Sequence, residues 1–159
     1  MFRFWYRYVF SNRTLIETGA SDVVMKRRIE PTYSDYMGLV FEKVCRDYLM
    51  RKNPCGELPI LFTSIGRWWG TDPKKHEQVE IDLIANDGDE YMFCECKWRN
   101  EKLDLPVLKS LMYKADVFRK NRGRTWFVLF SKSGFTDAVI EEAAKNNDVL
   151  LVDLGKITE

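Results

Sequence analysis

Residues 77–98 read EQVEIDLIANDGDEYMFCECKW and decide the fold of this chain of 159 residues. Two runs with the composition of β-strands flank residues 86–90, where asparagine, aspartate and glycine follow one another. These residue types form tight turns between paired strands, because they tolerate the backbone angles that such turns require. We therefore predict a β-hairpin at the centre of the molecule.

The hairpin carries charged groups that could act together. Successive side chains of a strand alternate between two faces, so Glu95 and Lys97 point together. By the same rule Asp82 points with Glu80 and Ile84. A carboxylate on one strand then meets a carboxylate and an amine on the other strand. Such a set can hold a hard divalent cation beside a phosphodiester.

A structural explanation competes with this chemical one. A cross-strand ion pair accounts for Glu95 and Lys97 without any catalytic role. The placement favours function, since both strands are otherwise apolar and a charge cluster on such strands costs free energy. The residues alone leave both interpretations open.

Composition and charge limit the class of protein. Hydrophobic residues make up 45% of the chain and charged residues 31%, which is typical of one soluble globular domain with a small appendage. The formal net charge of +1 neither supports nor excludes binding to nucleic acid. No apolar run reaches the roughly 20 residues of a membrane span, and arginines interrupt the apolar N-terminus. We expect a cytoplasmic protein without a membrane segment.

The four cysteines do not follow the spacing of a zinc site. Cys94 and Cys96 share one strand face, opposite Glu95 and Lys97. We expect these two cysteines to be small buried hydrophobic residues of a protein in a reducing compartment.

Residues 1–30 differ in character from the rest of the chain, because aromatic side chains and arginines crowd together in them. We predict a linker or docking segment at 1–30 and the main domain at 31–159. The aromatic and basic side chains could stack on nucleobases and contact phosphates. The interpretation that we favour is a short helix whose aromatic side chains dock onto this domain or onto a neighbouring one.

Outside the hairpin, helices and strands alternate. Apolar periodicity predicts, in chain order, a helix that begins at residues 34–35 and ends before Asn53, a strand at 62–69, the hairpin, a helix from about Asp104, a strand at 125–130, a helix at 137–146 and a strand at 149–152. A basic run at 119–124 suits a helix C-terminus, and a phosphate site is the alternative. We predict an α/β fold, with a mixed central sheet flanked by helices.

At this point the residues resemble a known superfamily. Glu42 on the first long helix, Asp82 on one hairpin strand, and Glu95 with Lys97 on the other resemble the motif of the PD-(D/E)XK nucleases. The predicted order αβββαβ resembles the core of their restriction-endonuclease-like fold. Ile81 stands where the motif has a proline, at a position that varies in the superfamily.

Five short stretches carry a narrower resemblance. They are RFWYRY at 3–8, GLVFE at 38–42, GRWW at 66–69, EID at 80–82 and ECKW at 95–98. Over nearly the whole chain these stretches resemble the C-terminal domain of archaeal-type DEXX-box ATPases, in which a P-loop ATPase comes first. This chain has no Gly-x-x-x-x-Gly-Lys-Ser/Thr motif, so the resemblance implies an ATPase domain or subunit as a partner.

The resemblance to the nucleases also implies a role for each motif residue. Asp82, Glu95 and the carbonyl oxygen of Cys96 would bind Mg²⁺ or Mn²⁺. Lys97 would orient or deprotonate the attacking water. Glu42 would reach the ion through a water molecule or hold a second ion.

On this basis we predict a Mg²⁺-dependent nuclease-like domain, a hydrolase that cleaves phosphodiester bonds of DNA. Arg67, Lys75 and Trp98 are the residues expected to contact the DNA backbone or stack on bases. The alternative is a non-catalytic module that binds DNA or a partner protein, in which the motif is vestigial. The sequence does not indicate an oligomeric state.

Overall fold

A computed structural model describes residues 2–118 and 123–158. The chain divides into two compact units, one within residues 1–39 and one within residues 40–159. The division at residues 30 and 31 stays a prediction, and residues 119–122 of the basic run lie outside the described part. None of the described helices combines the length and the apolar character that a membrane crossing needs.

The first unit is helical. Its segments are α1 (Phe2–Phe4), a π-helical stretch (Trp5–Val9), a 3-10 turn (Phe10–Asn12), α2 (Arg13–Glu17), α3 (Ser21–Val24) and a second π-helical stretch (Met25–Ile29). Tyr8 is buried, its hydroxyl lies 3.1 Å from the carbonyl oxygen of Thr32, and its ring contacts those of Phe4 and Tyr36. Several large apolar side chains of this unit remain exposed: Phe2, Trp5, Tyr6, Phe10 and Tyr33.

Helix α4 (Glu30–Lys52) begins earlier than the sequence predicted. The predicted start at residues 34–35 is wrong, because α4 follows directly on the π-helical stretch Met25–Ile29 and contains Pro31 in its first turn. The predicted end before Asn53 is confirmed. The inward face of the helix consists of side chains at four-residue spacing: Phe41, Cys45 and Leu49.

The second unit is built on a five-stranded sheet in the order β1-β2-β3-β4-β5. The strands are β1 (Ser64–Thr71), β2 (Gln78–Asp87), β3 (Glu90–Lys97), β4 (Thr125–Ser131) and β5 (Val149–Asp153). The first three strands pair antiparallel, whereas β4 and β5 extend the sheet in parallel from β3. The predicted α/β class, mixed sheet and central hairpin are therefore confirmed.

Helices make the parallel connections. Helix α5 (Leu105–Phe118) leads from β3 to β4, α6 (Asp137–Lys145) leads from β4 to β5, and α7 (Leu154–Thr158) follows the last strand. Parallel neighbouring strands require such crossover connections, because a tight turn would leave the second strand antiparallel to the first. The predicted helix start near Asp104 is confirmed, and the carboxylate of Asp104 accepts the N–H of Leu105 at 2.8 Å.

Buried side chains cover both faces of the sheet. One cluster packs the inward face of α4 against the sheet, and the other packs α5 and α6 against the opposite face. Strand β3 lies between them, and every residue from Tyr91 to Cys96 is buried. Cys94 and Cys96 belong to the cluster beside α4, and both are free thiols, as expected. The charged residue between them, Glu95, turns its side chain toward α5.

Strand β1 carries two adjacent tryptophans on opposite faces. Trp68 packs beside α5, with its ring 5.2 Å from that of Phe118, whereas Trp69 is 72% exposed. The strand lies two residues later than predicted, since it begins at Ser64.

The pairing of β1 with β2 shifts register next to the charged residues. Gly66 pairs with Ile84, but Trp68 pairs with Ile81, so two steps on β1 face three steps on β2. Ile81 and Ile84 consequently lie in the same buried cluster, although strict alternation would separate them. The prediction of regular alternation through residues 80–84 is therefore wrong, because an extra residue is accommodated at this point, as in a β-bulge.

Candidate functional site

The candidate site lies where the ladder between β2 and β3 ends. Backbone pairing of these strands stops at Leu83 and Cys94. One residue beyond Leu83 on β2, the Oδ2 atom of Asp82 accepts the backbone N–H of Cys96, which lies two residues beyond Cys94 on β3, at 2.7 Å. A side chain thus takes the place of the missing strand partner. The register shift between β1 and β2 lies next to Asp82, where this side chain replaces the backbone pairing.

The carbonyl oxygen of Cys96 faces the same gap. The N–H and C=O groups of one strand residue point to the same side of the strand. Because the N–H of Cys96 points to Asp82, its C=O points to the side from which β2 has departed. Burial raises the pKa of the Cys96 thiol well above its ordinary value, so the sulfur stays protonated. The oxygen, and not the sulfur, is the donor that Cys96 offers.

Glu95 is a buried carboxylate held by two ammonium groups. Its side chain is 5% exposed. The Nζ atom of Lys97 lies 2.5 Å from Oε1, and the Nζ atom of Lys114 lies 2.8 Å from Oε2 and 3.1 Å from Oε1. Charge-assisted bonds of this kind are the strong class of hydrogen bond. They offset the cost of burying the Glu95 charge.

Lys97 connects the two strands of the site. Its Nζ atom lies 3.9 Å from Oδ2 of Asp82 as well as beside Glu95, so one ammonium group faces both carboxylates. The structure therefore brings Asp82, Glu95 and Lys97 together at the end of the hairpin ladder.

Burial and the charge of Glu95 change the protonation of Asp82. Burial, followed by the charge of Glu95, raises the pKa of Asp82 to about 6. The N–H of Cys96 and the ammonium of Lys97 act in the opposite direction, while Glu42 adds a small increase. Two carboxylates in such a position favour any cation placed between them.

Lys97 holds its proton tightly. Burial is the largest single influence and lowers the pKa of Lys97, but Glu95 and Asp82 together raise that pKa above the ordinary 10.5. At neutral pH the group is an ammonium that can only donate hydrogen bonds. In the metal-free protein Lys97 is equipped to orient a water molecule or a phosphate oxygen.

Glu42 and Arg67 form the outer part of the site. Arg67 on β1 forms an ion pair with Glu42 on α4, and its Nη1 atom lies 3.1 Å from Oε1 of Glu80. The acidic neighbours Glu42, Glu80 and Asp82 raise the pKa of Arg67, against the effect of burial. Arg67 thus joins the helix bearing Glu42 to the strand that carries Asp82.

The two other predicted DNA-contact residues have different neighbours. Lys75 lies in the turn between β1 and β2, with its Nζ atom 4.4 Å from the ring centre of Tyr113. Trp98 is half-buried against Phe41, at 5.5 Å between ring centres, and the Nζ atom of Lys132 lies 4.8 Å from its ring centre. Neither residue contacts the carboxylates directly in the described structure.

Lys114 was missed in the sequence. It lies on α5, three residues after Leu111 and one before Ala115, which are both buried. A lysine at the edge of an inward helix face was the available signal. Its partner on a strand nineteen residues away could not be recognised without the tertiary structure.

The donor atoms fit a hard divalent cation by type. Across residues 2–118 and 123–158, no three histidine, cysteine, aspartate or glutamate side chains form a group that could hold a metal ion. The oxygen donors at the gap are the carboxylates of Asp82 and Glu95 and the carbonyl of Cys96. Mg²⁺ is commonly bound by one or two carboxylates, with water and substrate oxygens completing its shell. The residues present match that donor class.

Comparison with known families gives a match over most of the chain. Residues 5–109 match the DUF234 family, which is described as "Archaea bacterial proteins of unknown function". A curated relative is the "Uncharacterized protein MJECL04" of Methanocaldococcus jannaschii, which is 36% identical over 159 aligned residues and 95% of this chain. The chain spans 32% of the length of that relative.

A solved structure is also similar. It is described as "Crystal Structure of Protein of Unknown Function AF1548", and it is 17% identical with a TM-score of 0.45. The similarity covers 69% of this chain and 58% of the other chain. A likeness of this size does not identify a shared fold.

Proposed function

The chain belongs to this family of archaeal and bacterial proteins, and we propose that it is a Mg²⁺-dependent nuclease-like domain that hydrolyses DNA phosphodiester bonds. Its site would be of the PD-(D/E)XK type, with Asp82, Glu95 and Lys97 as catalytic residues. One observation carries the proposal: the Nζ atom of Lys97 lies 2.5 Å from Glu95 and 3.9 Å from Asp82, where the hairpin ladder ends.

The position of this trio argues against a purely structural ion pair. Asp82 and Glu95 are 12% and 5% exposed at their side chains, so ionising both costs free energy. The pKa of about 6 for Asp82 expresses that cost, which burial and the charge of Glu95 cause. Such a cluster is expected where charge has a use, because a structural pair would be cheaper at the surface.

Three oxygen groups of the chain would hold the ion. They are the carboxylates of Asp82 and Glu95 and the carbonyl of Cys96, which faces the gap beside β2. Bound Mg²⁺ or Mn²⁺ would supply Lewis acidity and lower the pKa of a water molecule. The residues themselves would hold that ion and exclude part of the surrounding solvent.

Lys97 and Glu42 would complete the reaction site. Lys97 donates hydrogen bonds, so it would orient the attacking water and stabilise negative charge on the phosphoryl oxygens. Glu42 would act through a water molecule or at a second ion, and its ion pair with Arg67 fixes its direction. Glu42 is close enough to influence the pKa of Asp82, which supports this assignment.

The DNA would lie across the end of the sheet that contains the C-terminal end of β3. Arg67 is at the site, while Lys75 lies in the turn that precedes β2, at the same end of the sheet. Their charges would contact phosphates, and the half-buried indole of Trp98 would border the strand path. Lys75 is exposed and therefore free to contact a phosphate.

An ATPase domain or subunit is the proposed partner. The curated relative is about three times as long as the matching region, since this chain spans 32% of it. That additional length leaves room for a further domain in the relative. A cytoplasmic site of action belongs to the same proposal.

A DNA digestion assay tests the proposed function. Supercoiled plasmid is incubated with the protein and Mg²⁺, with EDTA as the metal-free control. We expect nicking by the wild type and a loss of at least about 100-fold in rate for Asp82→Ala and Lys97→Ala. Lys145→Ala is the matched control, because Lys145 is exposed at the end of α6. Absent cleavage, or equal rates in all variants, would refute the proposal.

A non-catalytic binding module is the second candidate function. The favouring observation is the set of exposed aromatic side chains in residues 2–33, together with Trp69 at 72% exposure. Exposed rings of this kind suit stacking or a protein contact. Calorimetry distinguishes the candidates, because a module would bind DNA or a protein partner without taking up Mg²⁺ or Mn²⁺.

A further inference from the structure

Lys114 has no part in the nuclease motif, yet it makes the most extensive contact with the buried carboxylate. We propose that Lys114 is a resident cation, which occupies Glu95 in the metal-free protein and competes with a divalent ion for that carboxylate. This inference rests on the proposed function, since it concerns metal binding at the same site. It assigns to α5 a role in setting the affinity of the site.

The geometry of Glu95 supports competition. A carboxylate has about four lone-pair positions on its two oxygens. Lys97 uses one position on Oε1, at 2.5 Å. Lys114 uses one on each oxygen, at 3.1 Å and 2.8 Å. Three positions are thus occupied by ammonium groups, and departure of Lys114 would free two of them.

Lys114, and not Lys97, is the group that can leave. Lys97 faces Asp82 as well as Glu95 and so remains attracted to the site when one carboxylate gains another partner. Among the described residues, the ion pairs of Lys114 involve Glu95 alone. Its side chain is 22% exposed, so its flexible stem can carry the ammonium to solvent.

Charge gives the expected direction of the effect. An ammonium that touches a ligand carboxylate repels a dication at that carboxylate, and burial weakens the screening by water. Removing the charge of Lys114 should therefore strengthen metal binding. It should also weaken the metal-free fold, because Glu95 would lose a partner while remaining buried.

Isothermal titration with Mn²⁺ tests this inference, using the purified protein at pH 8 without DNA. We expect Lys114→Met to bind Mn²⁺ at least about fivefold more tightly than the wild type, because a repelling unit charge is removed. Lys114→Gln is the second variant in case the methionine variant does not fold, and we expect it to bind more tightly as well. Lys109→Met, on the exposed side of the same helix, should match the wild type.

Thermal unfolding supplies a second measurement. Saturating Mn²⁺ should raise the unfolding temperature of Lys114→Met more than that of the wild type, since the ion replaces the lost ammonium. Equal or weaker Mn²⁺ binding by both Lys114 variants would overturn the resident-cation inference and leave the proposed function standing. No Mn²⁺ binding by any of the proteins would overturn both.

Discussion

The carboxylate of Asp82, one residue beyond the last backbone pair on β2, accepts the backbone N–H of Cys96, two residues beyond that pair on β3, at 2.7 Å. This contact fixes a side chain of β2 against the backbone of β3. It aims the half-buried carboxylate of Asp82 and the Cys96 carbonyl at the same gap. The two strands can therefore present oxygen atoms to one ion, although their ladder has already ended.

Replacing Asp82 by asparagine should stabilise the metal-free protein at neutral and alkaline pH. The pKa of Asp82 is about 6 in the folded protein, against an ordinary value of 3.8, because of burial and the charge of Glu95. The folded form binds this proton more tightly, so the stability that Asp82 contributes is present below pH 4 and lost as pH rises through 6. The advantage of Asp82→Asn should grow by on the order of 2 kcal/mol over that window.

Urea unfolding in EDTA between pH 4 and pH 8 measures this difference. Asp148→Asn is a suitable control, because Asp148 precedes β5 and lies at the opposite end of the sheet from Asp82. An advantage of Asp82→Asn that stays constant across the range would contradict the raised pKa.

Truncation of Leu49 should test the packing of α4 on the sheet. Leu49 is 0% exposed in the cluster beside α4, so Leu49→Ala should lower the free energy of unfolding by about 2–5 kcal/mol. Leu61 is 66% exposed, and Leu61→Ala should change the same quantity by less than about 0.5 kcal/mol. Chemical denaturation of the two variants side by side checks the burial of this helix face. Similar losses in both would show that Leu49 is not a core residue.

Lys75 should contribute to DNA binding through a phosphate. It is exposed in the turn before β2, at the end of the sheet that contains the C-terminal end of β3. Lys75→Gln should weaken binding equally for all sequences and reduce the slope of log K against log salt by about one. Fluorescence anisotropy with labelled duplex DNA in Ca²⁺ measures both quantities.

The matched control for that variant is Lys145→Gln. Lys145 ends α6 just before β5, and β5 runs parallel to β3. This lysine therefore lies at the opposite end of the sheet from the C-terminal end of β3. An equal effect of the two substitutions would exclude the proposed path of the DNA.

The central hairpin could be predicted because its information is local. Alternation along β3 is regular, and it correctly separates Glu95 from Cys94 and Cys96. The turn residues of the hairpin likewise specify antiparallel pairing without reference to distant parts of the chain. Regular alternation failed in β2, where the register shift depends on the pairing with β1.

The other errors also have tertiary or contextual causes. The contact of Lys114 with Glu95 depends on the packing of α5 on β3, which no periodicity encodes. The early start of α4 was not predicted, because the helix continues directly from the π-helical stretch Met25–Ile29, which apolar periodicity does not reveal. The sequence was therefore sufficient to predict the strands that carry the site. The ammonium groups that contact Glu95 could be identified only from the structure.

The metal site that we propose holds one divalent ion between Asp82 and Glu95. Crystals of the protein grown with Mn²⁺ and measured at an X-ray energy with strong manganese anomalous scattering test it directly. We expect an anomalous peak between the two carboxylates, within about 2.0–2.4 Å of one oxygen from each and of the Cys96 carbonyl. A map without a peak there at saturating Mn²⁺, in crystals where both side chains are ordered, would contradict it.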